Sequence, residues 1–167
     1  QNLVRLFPHG DHIGQALGVA QSDDLSGSLS LAFTMLTLTD TGCEGRFDSR
    51  TPLCGTDATV RLPAEAALQA AGFTVEGEID PPHHVPATDP FLQTLACAYE
   101  LYSGRESHCI AIGGGTYVHG IPGGVAFGAS MPGFVSNLHG PDERVNVADL
   151  LTAAMIYTQV ILDVCGE

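Results

Sequence analysis

Between residues 17 and 38 the large apolar side chains fall at Leu17, Val19, Leu29, Leu31, Phe33, Met35, Leu36 and Leu38, with Ser28, Ser30, Thr34 and Thr37 between them. The run is broken at Asp23-Asp24-Leu25-Ser26-Gly27. An imperfect period of two on either side of a glycine turn predicts two half-buried strands in an antiparallel hairpin. A further strand, polar at nearly every position, is predicted over 45–52. The pattern then changes: alanines through the middle, Pro63 in the first turn and Gly72 at the stop predict a helix over 59–71. Phe73, Val75, Gly77 and Ile79 alternate again and read as a partner strand. This α+β unit of about 80 residues ends at Asp80-Pro81-Pro82-His83-His84-Val85-Pro86, the strongest boundary in the chain.

The second half reads differently. Asp89 offers a cap and Pro90 a first helical position, and Phe91, Leu92, Leu95, Ala98, Tyr99 and Leu101 share one broad face, so a helix is predicted over 89–102. The short run Cys109-Ile110-Ala111-Ile112 ends abruptly in Gly113-Gly114-Gly115-Thr116-Tyr117, as a buried strand does when its loop must approach something closely. A short strand over 125–129 and a helix over 146–164, opened by Asn146 and Asp149 and stopped by Gly166, complete the chain. Helix, strand, strand, helix is half of a layered α/β domain with too few strands for a sheet of its own. The expected organisation is therefore an α+β region over 1–82 and an α/β region over 83–167.

Composition alters this picture in three ways. Hydrophobic residues make up 44% of the 167 positions but charged residues only 15%, against roughly 25% in an ordinary soluble domain. Either a large apolar surface meets another polypeptide, or the surface is rich in Gly, Ser and Thr. The formal net charge is −13, there is no lysine and the six arginines are scattered, which argues against nucleic acid as a partner because phosphate neutralisation needs clustered basic residues. No run approaches the ~18 apolar residues of a membrane span and no signal-like segment leads the chain, so no membrane partner and a cytoplasmic location are expected. Five cysteines form no CxxC pair and read as buried or partly buried free thiols. The chain opens on Gln1 and not Met, as a processed protein or a piece of a longer one would.

Three places offer chemistry. The 45–52 strand carries Arg46 and Arg50, two of only six basic residues, and reads equally as a ligand-binding strand or a charge-protected edge. His9-Gly10-Asp11-His12 has the spacing of a metal-ligand set, and also that of a surface loop. The glycine loop lacks the lysine of a phosphate cradle and does not open a helix, which leaves close approach to a small substrate, with amides and Thr116 donating, or a plain tight turn.

The run from Cys109 to His119, followed by Gly124-Val125-Ala126-Phe127-Gly128, Met131-Pro132-Gly133, Leu138-His139-Gly140 and the terminal helix, resembles bacterial dipeptidases of the PepV type. These belong to zinc peptidase family M twenty, which includes carnosine-cleaving enzymes and succinyl-diaminopimelate desuccinylases. The resemblance extends to Leu6-Phe7-Pro8-His9-Gly10-Asp11-His12, the Leu17-to-Gly27 stretch and Arg50-Thr51-Pro52, nearly the whole chain.

The resemblance implies a two-domain enzyme whose α/β catalytic domain holds two Zn2+ ions and carries an inserted lid. Residues 1–82 are then similar to the later part of the lid, and 83–167 to the last part of the catalytic domain. His139 is similar to a metal-ligating histidine and Arg50 to the lid arginine that holds the substrate carboxylate. Gly114, Gly115 and Thr116 are similar to a loop that contacts substrate, and His119 falls where relatives show Arg or His. The general-base Glu and the other metal ligands would lie upstream, outside this chain. His9-x-Asp11 would then be a lid loop, with the metal-binding His-x-Asp upstream as well. The implied activity is metal-activated hydrolysis of short peptides with a free C-terminal carboxylate, by a fragment that is inactive alone and that meets the missing upstream segment of the same enzyme. The alternatives are amino-acid deacylation or desuccinylation by the same chemistry, and a non-catalytic lid or assembly module; homo-oligomerisation is compatible with each.

Overall fold

A computed structural model describes residues 2–77, 80–128 and 130–166. It is a mixture of helices and small antiparallel sheets, the α+β character read from the sequence. The chain forms two compact units, Gln1–His84 together with Ala111–Gly115, and Val85–Ile110 together with Thr116–Glu167.

The first unit starts with a short helix α1 (Asn2–Leu6), which the sequence pattern did not reveal. Asn2 Nδ2 donates to the Ala71 carbonyl at 3.1 Å. The expected long hairpin through residues 17–38 is replaced by something smaller. Only Ser22–Asp23 (β1) and Gly27–Ser28 (β2) pair across the glycine turn. The reason lies upstream, where the Asp11 carboxylate accepts from the amides of Ile13, Gln15 and Ala16 at 3.2, 3.1 and 2.8 Å. Val19 N then closes onto Gly14 O at 3.0 Å. Residues held in tight turns cannot also extend as a strand, so Leu17 and Val19 reach the core from a loop. Gly14 sits at φ +76°, and a Cβ there would lie 2.5 Å from Val19 Cγ2, so the turn needs glycine.

The principal ladder joins β3 (Ser30–Leu38) to β4 (Cys43–Arg50), with Ser30 opposite Arg50, Ala32 opposite Asp48 and Phe33 opposite Phe47. A bulge lies between Phe33 and Met35, after which Met35 stands opposite Arg46 and Thr37 opposite Glu44. The extra residue, Thr34, donates its hydroxyl to the Arg46 carbonyl at 3.2 Å. The bulge is the physical reason for the broken alternation in the sequence, since one inserted residue reverses which side chains face the core. Next come a π-helical turn (Asp57–Arg61) and α2 (Leu62–Ala70), with Arg61 bridging Asp57 at 3.0 Å and Glu65 at 2.9 Å. Leu6, Leu17, Val19, Leu29, Leu31, Val60, Ala64 and Leu68 form one core, lined by Phe7, Phe47, Phe73 and Val75. Phe73 and Val75 pack there without joining a ladder, so the strand expected over 73–79 is not formed in its described part; Ile79 lies outside the described residues.

In the second unit α3 (Pro90–Ser103) begins at Asp89, whose carboxylate accepts from the Phe91 and Leu92 amides, and ends at Gly104 in the left-handed region. The final helix α4 (Val147–Cys165) is capped by Asn146, which accepts from Ala148 N at 2.9 Å. Ala98, Ile156 and Met131 form the small core between them. Tyr102 Oη donates to Gln159 Oε1 at 2.9 Å, and Tyr157 Oη to Phe127 O at 2.6 Å.

The strands expected over 109–112 and 125–129 are not formed among the described residues, and Ala129 lies outside them. Ile110 is 80% exposed rather than buried. A strand exists only where a neighbour supplies backbone partners, and no described segment does so here. Exposure is high throughout: the chain presents 11,693 Å² to solvent. A folded monomer of 17.4 kDa should expose roughly 7,900 Å², and even two independent units of half that mass about 9,500 Å². Much of the excess is apolar, including Val147, Leu150, Leu151, Met155, Ile161, Leu162 and Val164 on α4. By length and composition α4 also qualifies as a membrane-crossing helix, contrary to the expectation that no segment does: Thr and Ala interrupt its large apolar residues while its average stays high. All five cysteines are free and exposed, so the reading of buried thiols is corrected; they occupy exposed helix, strand and loop positions.

Candidate functional site

Arg50 is the last residue of β4, immediately before Thr51-Pro52, where the ladder stops. Alternation along the strand puts Glu44, Arg46, Asp48 and Arg50 on one exposed face, while Phe47 and Ser49 turn toward the core face. On that face Arg50 Nε lies 2.8 Å from Asp48 Oδ1 as an ion pair, and Arg46 Nε lies 3.7 Å from Glu44 Oε1. Both side chains of the Arg50–Asp48 pair are about half exposed.

The glycine loop comes to the same place. Ala111–Gly115 belongs to the first unit, and a Cβ at Gly115 would stand 3.9 Å from Arg50 Nη1. The guanidinium edge therefore lies beside backbone that carries no side chain, with Gly114 one residue away. Asp48 stands at Nε, and among the described residues no acceptor is hydrogen-bonded to Nη1 or Nη2. Such an open edge is suited to a carboxylate, which guanidinium binds with two parallel hydrogen bonds. Asp48 was missed in the sequence, although its i,i+2 spacing from Arg50 on a strand is a signal that finds it.

The other expected residues lie in the second unit. Thr116 and His119 close one turn, His119 N donating to Thr116 O at 3.1 Å, with both side chains exposed. His139 is exposed on a loop held by Arg144 N to Ser136 O at 2.9 Å and Gly140 N to Asn137 O at 2.7 Å. Within it Asn137, His139 and Asp142 all take positive φ, at 55°, 61° and 56°. Left-handed backbone at a non-glycine residue costs on the order of 1 kcal/mol or more, and such strain gathers at functional loops. Beside it Leu138, Glu143, Arg144, Asn146 and Asp149 line a cavity of about 130 Å³.

His9, Asp11 and His12 share a loop in which Asp11 and His12 are already engaged. Asp11 is spent on backbone amides, that of Ala16 above all, which hold its carboxyl below the usual carboxylate range; His12 Nδ1 lies 2.9 Å from Gly10 O. Among the described residues no three of His, Cys, Asp and Glu stand close enough to hold a metal ion. A zinc site needs three or four such donors, so the residues present do not make one by themselves.

No protein-family model matches the chain. It is similar along nearly all its length to proteins named as dipeptidases. It is 34% identical over 156 residues to "Putative dipeptidase YtjP" of Bacillus subtilis, covering 92% of this chain and 33% of that protein. It is 31% identical over 161 residues to "Beta-Ala-Xaa dipeptidase" of Lactobacillus delbrueckii subsp. lactis, covering 95% and 34%. With a Staphylococcus haemolyticus protein also named as a dipeptidase, identity is 32% over 166 residues, 96% of this chain and 35% of the relative. The chain thus spans about a third of the length of the curated relatives it matches.

Proposed function

We propose that this chain is the carboxylate-recognising part of a dipeptidase of the PepV type in zinc peptidase family M twenty, its role being to seat short peptides by their free C-terminus. The observation that carries the reading is the open Arg50 edge against Gly115, and the similarity to dipeptidases along the chain supports it. In this reading Arg50 binds the terminal carboxylate through Nη1 and Nη2, and the side-chain-free loop at Gly114 and Gly115 lets the peptide backbone approach closely. Thr116 and His119 serve as further polar contacts to substrate. One end fixed in this way selects length, because the scissile bond of a longer peptide falls elsewhere.

His139 would give a zinc ion one imidazole, with the remaining donors and the general-base Glu on polypeptide beyond these residues. No step of hydrolysis is assigned to this chain. The exposed apolar residues of α4 favour assembly with such polypeptide, and by themselves suit a non-catalytic assembly module equally well. Deacylation or desuccinylation of amino acids would use the same carboxylate contact.

Dipeptide hydrolysis, measured on this chain alone and combined with the upstream two thirds of the B. subtilis relative in the presence of zinc, tests the reading. Turnover is expected only in combination, and Arg50→Ala should lower kcat/KM on the order of 100-fold. Turnover by the chain alone, or a combination indifferent to Arg50→Ala, would overturn it. Comparing a dipeptide with N-succinyl and N-acyl amino acids separates the peptidase from the deacylase.

A further inference from the structure

We infer that Asp48 is a positioning residue for carboxylate recognition, holding Arg50 so that its Nη1 and Nη2 edge stays turned to the glycine loop. The inference rests on the reading of Arg50 given above. Three features carry it. Asp48 lies two positions before Arg50 on β4, so the pleat places both on the same face, and the ladder fixes their backbones opposite Ala32 and Ser30. The ion pair is recorded at Nε, 2.8 Å from Asp48 Oδ1. Nη1 meanwhile lies beside Gly115, where the absence of a Cβ leaves room.

A guanidinium has two ways to grip a carboxylate, through Nε with one Nη or through both Nη atoms. Asp48 takes the first edge and thereby leaves only the second for a ligand. A free arginine loses considerable rotamer freedom when it binds, and one already held by a neighbouring carboxylate loses less. The same Asp48 charge also opposes a second carboxylate. Because Asp48 engages the far edge, orientation outweighs that repulsion. Among the described residues Asp48 is the only acidic group paired with Arg50.

The test uses the chain itself with glycylglycine as probe and glycylglycinamide as control, read from the Arg50 Nε–Hε NMR signal and from fitted dissociation constants. Wild type is expected to bind glycylglycine and not the amide. Asp48→Ala should weaken binding about fivefold, the span available to a half-exposed ion pair. Asp48→Glu should recover most of it. In the ligand-free protein Asp48→Ala should also shift the Arg50 Nε–Hε signal while leaving the β3–β4 amide signals in place, which separates a lost partner from a lost fold. Loss of binding in Arg50→Ala with Asp48→Ala unchanged or tighter would overturn the positioning role alone. Failure of wild type to bind glycylglycine, or binding that survives Arg50→Ala, would overturn the carboxylate reading and this inference with it.

Discussion

The two units of this chain use similar amounts of apolar sequence to very different ends. The first gathers eight buried residues from a helix, two loops, a strand and a helical segment into one core, with Leu29 entirely enclosed. The second encloses only Ala98, Met131 and Ile156 in its cluster, while Leu101, Ile110, Val135, Leu138 and most of α4 face solvent. Both sequences alternate and repeat as buried elements do. The difference is how much of that apolar surface each unit encloses among the described residues. Apolar periodicity records a demand for burial, and the fold displays how much of that demand the chain meets by itself.

The contrast can be broken most directly at Leu29. Leu29→Ala should cost about 3–4 kcal/mol in urea unfolding of the first unit, because the site is fully packed and cannot collapse without disturbing Leu31 and Val19. A loss below about 1 kcal/mol would mean that this core is no better built than its neighbour's. Ile156→Ala should cost less, about 2 kcal/mol, read as faster hydrogen exchange in α3 and α4 with the first unit unchanged.

The smallest effect is the most diagnostic of pH. Asp23 accepts from the Ser26 amide at 2.6 Å, the Ser26 hydroxyl at 2.8 Å, the Leu25 amide at 3.0 Å and the Cys54 amide at 3.1 Å, joining the β1–β2 turn to the segment after β4. These bonds, the Ser26 amide first, hold its carboxyl well below the ordinary range. A carboxyl with a depressed folded value adds stability above its unfolded value of ~3.9, and that stability is lost as pH falls from there through the folded value. Asp23→Asn should therefore lower the urea midpoint at pH 7 and lose its difference from wild type under strong acid. A gap that stays constant with pH would show that the carboxylate charge is not what holds the turn.

Helices were legible because their signals are local. Asp89 and Pro90 open α3 and Asn146 opens α4, each within a residue of the expected position. Strands were not, because pairing is decided by distant backbone. Residues 109–112 and 125–128 have strand composition and no ladder, while 30–38 found its partner in the polar 43–50 segment rather than in residues 17–22. Arg50 stood out by scarcity of charge, and the approach of Gly115 to it required the fold. His139 was visible as a residue type, but its left-handed backbone was not, since histidine carries no turn signature of glycine's strength.

The bulge at Thr34 has a consequence for inheritance of the site. A pleated strand is read in a frame of two, and an insertion of one residue shifts that frame as an inserted base shifts codons. Here the shift is absorbed within a single step, so the downstream half of β3 changes phase while β4 keeps its own. The inserted residue belongs to β3 alone, so the face of β4 bearing Asp48 and Arg50 is transmitted intact.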